Sequence, residues 1–186
     1  MEELIQYIMD ICSREPSDYG KLINMLITDN HLREYVDKIV INHTNCLGMY
    51  IPNKKELRIN INRIARKAFM KSFDIQSEFN IEPDRFATIC VLATVFHELY
   101  HVEQTKMCFD SSDDTLHKIV REGIELGRRS PNGLNVNERL LYHFRYLDVL
   151  TERSAEVNSM VKVLMCRKSG AVLANECRFF IYYFNY

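Results

Sequence analysis

The sequence has no surplus of either charge, no apolar run long enough to span a bilayer, no CxxC pair, and no repetitive or low-complexity segment. Each absence excludes a class of protein. A formal net charge of −1 over 186 residues leaves no electrostatic footprint for nucleic acid or an anionic membrane. Arg63, Arg66, Lys67 and Lys71 read as a solvated helix face. The longest apolar stretch, Phe86 to Phe96 with two threonines, falls short of the ~20 residues a spanning helix needs. The opening MEELIQYIMDICSREP carries acid where a secretory signal carries base, so a cytoplasmic protein without a membrane partner is expected. Cys12, Cys46, Cys90, Cys108, Cys166 and Cys177 lack the spacing of a zinc ribbon or knuckle, and are expected to be reduced and largely buried.

What is present is an ordinary globular composition, 47% hydrophobic and 26% charged, in a chain suited to one core, so 1–186 reads as a single domain. Residues 1–45 predict helices: Glu2 to Ser13, then two more between Tyr19 and about Ile41, broken at Asp29-Asn30. His31 and His43 read as surface or structural residues. From 46 to 61 the pattern changes to two short alternating runs, CLGMYIP and ELRINI, around Pro52-Asn53-Lys54-Lys55, which predicts a β-hairpin and the one sheet expected. IARKAFMKSF fits a helix, and Pro83-Asp84 signals the start of another over 84–107. Asp114 is a candidate cap for a helix from Thr115 to Arg129, and Ser130-Pro131-Asn132-Gly133 breaks it. Helices over Asn137 to Tyr146 and over 151–167, the latter capped by Thr151, follow. The aromatic tail from Val172 fits a last helix or strand. The fold class expected is α+β, mostly α.

The stretch that organises the rest is FATICVLATVFHELYHVEQ, Phe86 to Gln104. Only Thr88 and Thr94 interrupt its apolar residues before His97, so a helix here is apolar nearly all round and belongs in the middle of the core. Its next turn carries His97, Glu98 and His101. Histidines at i and i+4 lie one turn apart on one face and can both reach a metal ion at about 2.0–2.1 Å. The glutamate after the first histidine then stands beside that ion, where a carboxylate takes a proton from an attacking water. Burying three ionisable groups is costly unless they are paired or bind a metal, and a dication among imidazoles and carboxylates meets that demand. The blander reading is a buried helix whose polar end emerges into solvent.

A catalytic zinc takes three protein ligands and keeps one position for water. The HExxHxxGxxH arrangement is excluded, because Gln104 stands in place of its glycine and Met107 in place of its third histidine. His117 and His143 lie downstream without a supporting pattern. Asp110, Asp113 and Asp114 form a polar loop of the kind that capping explains. The best candidate is Glu152 in Leu150-Thr151-Glu152-Arg153-Ser154-Ala155-Glu156. Glu156, one turn on, can accept the N–H of a ligating histidine and fix its tautomer, and Ala155 lets two helices approach closely. Two alternatives stay open: Glu156 as the ligand, or two exposed glutamates paired with Arg153 or Lys162.

HELYH followed by TERSAE resembles the gluzincin branch of the zincin metallopeptidases. The order of elements is similar to small zincins of the ImmA/IrrE type over roughly 47–159. Two features depart from them: the 55-residue interval from His97 to Glu152, which accommodates the Thr115 to Arg129 helix, and the lack of an appended helix-turn-helix. The resemblance implies a zincin-like fold with the hairpin packed near a buried HExxH helix and a Glu-bearing helix behind it. It also implies one Zn²⁺ per chain on His97, His101 and Glu152, with Glu156 supporting a histidine. The expected activity is peptide-bond hydrolysis with Glu98 moving the proton, on a peptide or protein substrate that can lie as an added strand along the hairpin. Tyr142, His143 and Tyr146 are candidate transition-state donors, although aromatics at helical spacing are usually core. One rival expectation is a non-catalytic, zinc-stabilised regulatory or protein-binding domain, which a fourth protein ligand such as His143 or a cysteine would favour. Another is a metal-free helical interaction module.

Overall fold

The computed structural model describes residues 19–79, 82–112, 114–127, 135 and 150–168. The helices expected over Glu2 to Ser13 and Asn137 to Tyr146, the tail from Val172, and Asp113, Tyr142, His143 and Tyr146 lie outside these residues.

Helix α1, Tyr19–Asp29, buries Tyr19, Leu22, Ile23, Leu26 and Ile27, the 3.6-residue stripe of an amphipathic helix. It ends in a Schellman turn: His31 adopts φ 54° and its N–H reaches Thr28 O, while the N–H of buried Leu32 reaches Ile27 O. The second helix expected from here to Ile41 does not form. A single 3₁₀ turn, Arg33–Tyr35, leads instead into strand β1, Lys38–Ile41, so the segment 1–45 is not purely helical. Ile39, Val40 and Ile41 are β-branched, and their stiff χ1 angles suit a pleated surface better than a helix.

The expected hairpin is present as β2, Gly48–Ile51, and β3, Glu56–Ile59, joined by the 3₁₀ turn Pro52–Lys54 and by Lys55 at φ 45°. The strand order is β1-β3-β2. β3 is central, antiparallel to β2 (Tyr50↔Leu57) and parallel to β1 (Ile39↔Leu57), and β2 forms one edge. Leu57 and Ile59 point into the core. Asn60 then caps α2, Ile61–Phe79, by accepting the Arg63 N–H at 3.0 Å, and Ile61, Ile64 and Ala68 form its buried stripe.

Helix α3, Pro83–Asp110, is the axis of the molecule, 28 residues or about 42 Å long. Proline in its first turn fits, since the missing N–H is one that would lack an intrahelical partner anyway. From Phe86 to Phe96 every residue but Thr88 and Thr94 is buried, as the sequence predicts. α2 packs along one flank and α5, Leu150–Lys168, along another, with β2 and α4, Asp114–Gly127, also against it. Thr151 is not the cap expected: it lies inside α5, buried, and its hydroxyl has no hydrogen-bond partner among the described residues. The class is α+β and mostly α, with one three-stranded sheet. Among the described residues no helix is long and apolar enough to cross a membrane. Cys90 is buried, while Cys46 and Cys108 are half-buried.

Candidate metal centre

The apolar run of α3 places its next turn at the end of the core, between β2 and the start of α5. His97 and His101, one turn apart, bring their Nε2 atoms to 3.1 Å from each other. From α5, Glu152 is buried and brings Oε2 to 3.3 Å from each of those nitrogens. Three donors on a tetrahedral ion with bonds of about 2.0–2.1 Å stand about 3.3–3.4 Å apart, so the triangle is close to one face of such a site. His97, His101 and Glu152 are the one group of this kind among the described residues, and they can hold a metal ion. Ala155, small and fully buried, lies between Glu152 and Glu156 on α5, as a close approach of the two helices requires.

The outer ring nitrogens decide which lone pairs face the centre. His97 Nδ1 lies 3.3 Å from Glu156 Oε2, so the carboxylate takes its N–H and leaves Nε2 as the ligand atom. Glu156 therefore backs a histidine and is not the third donor. His101 Nδ1 lies 2.8 Å from Gln104 Oε1, and Gln104 is buried. The exposed pairing of Glu152 and Glu156 with Lys162 is not formed, because Lys162 Nζ sits 3.3 Å from Glu103 and 5.8 Å from the centroid of the Phe96 ring, a second tie between α3 and α5. His117 stands apart from the triangle and donates from Nε2 to Ser111 O at 2.9 Å; Asp110 and Asp114 end and begin helices outside it.

The chain matches no family model, curated protein or solved structure. What the arrangement can do is therefore argued from its own chemistry.

The centre is built to attract cations. Burial alone would push the His97 imidazolium down, but Glu152, Glu156 and Glu98 reverse that and raise its pKa to about 10. Glu152 and Glu98 likewise raise His101 against the effect of its burial and of His97. A positive charge, whether proton or metal, is what three carboxylates around two half-buried imidazoles require.

Glu98 occupies the space between the triangle and the sheet. Burial raises its pKa, the imidazoles of His97 and His101 pull it back, and the backbone N–H of Tyr50 on β2 holds one of its oxygens. It fits there because residue 48 is glycine: a Cβ at that position would stand 2.6 Å from Glu98 Cγ and from its Oε1.

Gly48 and Gln104 are the two site residues that sequence reasoning missed. Signals for both existed. A glycine inside a strand marks a close approach of another group. Gln104, three residues after His101, is on the same helix face one turn further on.

Proposed function

We propose that the chain is a zinc-dependent peptidase with a zincin-like centre, gluzincin-like in taking its third ligand from a glutamate on a later helix. The observation that supports this most is the convergence of His97 Nε2, His101 Nε2 and Glu152 Oε2 on one point, with a second buried carboxylate, Glu98, beside it and outside the donor triangle. A spare buried carboxylate next to three ligands has no structural need; it suits a proton carrier. Two imidazoles and a carboxylate suit zinc among the common ions, and the site would hold one per chain.

Zinc, when bound, supplies Lewis acidity that brings a water's pKa toward neutrality and polarises a carbonyl. The rest of the chemistry belongs to the chain. Glu98 accepts the water's proton and returns it to the leaving amine, a task for which a pKa raised by burial is an advantage. Glu156 and Gln104 hold the two imidazoles in the tautomer that presents Nε2 inward. The outer edge of β2 is the place for substrate. An extended peptide added there would take its main-chain hydrogen bonds from an edge strand whose Tyr50 N–H faces Glu98, an arrangement that favours peptide backbone over other carbonyl compounds.

The test is metal content by elemental analysis, followed by cleavage of a peptide library. Near-stoichiometric zinc that is lost in His97→Ala and Glu152→Ala supports the centre. Glu98→Gln is expected to keep the zinc and lower peptide hydrolysis by a factor of about 10²–10⁴. A wild-type protein that binds zinc yet cleaves no member of the library would establish instead a zinc-stabilised binding domain, and one that takes up no zinc would leave a helical interaction module.

A further inference from the structure

Gln104 joins a ligand of α3 to two polar groups of α5 through one side chain. Its Oε1 lies 2.8 Å from His101 Nδ1, while its Nε2 lies 2.9 Å from Thr151 O and 2.9 Å from Ser154 Oγ. Which end of the amide faces the histidine follows from what lies on the other side. A backbone carbonyl can only accept, so the nitrogen end of Gln104 faces Thr151. The Ser154 hydroxyl already donates to Leu150 O at 2.8 Å, so it too is an acceptor for that nitrogen. Both amide protons are spent on α5. The oxygen end must therefore face His101, and an oxygen there accepts only from Nδ1–H. Nδ1–H in a neutral imidazole leaves the lone pair on Nε2, the atom that points at His97 and Glu152. The reverse tautomer would aim an N–H into the donor triangle.

We propose that Gln104 is a positioning residue that couples the tautomer of His101 to the seating of the helix bearing Glu152. Thr151 and Ser154 flank Glu152 in the first turn of α5, so one side chain both selects the ligand atom on α3 and anchors the backbone on either side of the third ligand. The proposal rests on the metal-centre reading above. It gives Gln104 a larger share than Glu156 has for the other histidine, since Glu156 orients the His97 ring from α5 by one contact, while Gln104 orients the His101 ring from α3 and also holds two groups of α5.

The experiment compares wild type, Gln104→Leu, Gln104→Glu and Ser154→Ala by zinc affinity in chelator competition at fixed pH. Long-range ¹H–¹⁵N spectra of the zinc-loaded proteins read which nitrogen of His101 carries hydrogen. Gln104→Leu, similar in size but without polar atoms, is expected to weaken zinc by about 10–100-fold and to change the His101 ring-nitrogen pattern. Gln104→Glu keeps an acceptor for Nδ1–H but loses the donors to α5. It is expected to keep the wild-type His101 pattern and to bind zinc more tightly than the leucine variant, though less tightly than wild type. Ser154→Ala, which removes one of two acceptors, should weaken zinc by less than Gln104→Leu. A leucine variant with wild-type zinc affinity and an unchanged His101 pattern would overturn the proposal and leave the metal centre standing. So would a glutamate variant no better than leucine, because only packing would then be at stake. A wild-type chain that takes up no zinc would overturn the centre itself, and the proposal with it.

Discussion

Gly48 shows how much one missing side chain carries. It sits on the strand facing Glu98, and a methyl group there would come within 2.6 Å of the carboxylate oxygen, so Gly48→Ala must displace either β2 or Glu98. Glu98 is the softer partner. We expect Gly48→Ala to retain zinc, since the three atoms nearest a Cβ there all belong to Glu98 and not to a ligand, and to lower kcat for peptide hydrolysis by about 10²-fold, the scale that a 1 Å misplacement produces. Zinc loss equal to the loss of rate would show that the strand, and not the carboxylate, had moved. The same site marks the limit of what the sequence displays. His97, Glu98 and His101 were legible because one helical turn brings them together, and Glu152 with Glu156 because a second one-turn pair has the right chemistry. Gly48 and Gln104 were not, although each carries a local signal, because their partners lie across the fold: Gln104 answers to a carbonyl 47 residues away.

At the scale of elements, the centre exists only where α3 and α5 touch, and Ala155, fully buried, stands on α5 three after Glu152 and one before Glu156, the residues that face His97. Ala155→Leu overpacks it. A destabilisation of about 1–3 kcal/mol is expected, seen as a lower Tm in chelator, together with a loss of zinc affinity greater than tenfold as the first turn of α5 is pushed outward. Val157→Ala, on the exposed face of the same helix, should leave both unchanged. If Ala155→Leu lowers Tm and zinc affinity stays at the wild-type value, the seating of α5 is set elsewhere. The long helices and the hairpin were readable because their periods are local. The failure at β1 has an equally physical cause: Leu32, Tyr35, Val36, Ile39 and Val40 fall at i, i+3, i+4, i+7 and i+8, a helical stripe. What overrides it is the run Ile39-Val40-Ile41 and a parallel partner in β3, Lys38 pairing with Glu56, which no window on the sequence contains.

For the molecule as a whole, the centre links folding to both metal and pH, and the sign is fixed by the groups involved. In the metal-free protein His97 holds its proton up to about pH 10, whereas in the unfolded chain an imidazole releases it near the ordinary 6.5. The folded state thus binds more protons between those values. The contribution of His97 to stability is complete below about pH 6.5 and is lost as pH rises through about 10. Glu98, raised by burial, acts with the same sign from its lower starting point. On the proposed reading zinc would displace the His97 proton, so its affinity would rise with pH across the window in which metal-free stability falls. Scanning calorimetry at pH 6.5, 7.5 and 8.5 should therefore show Tm falling in chelator, a nearly level Tm in excess zinc, and a widening gap between the two. Zinc at about 1,000 times its dissociation constant would add about 4 kcal/mol. His97→Gln tests this, since it should remove the share of the chelator slope that belongs to His97 and abolish the gap. A variant that keeps the wild-type slope would place the pH dependence elsewhere in the fold and remove the proton as the competitor that zinc displaces.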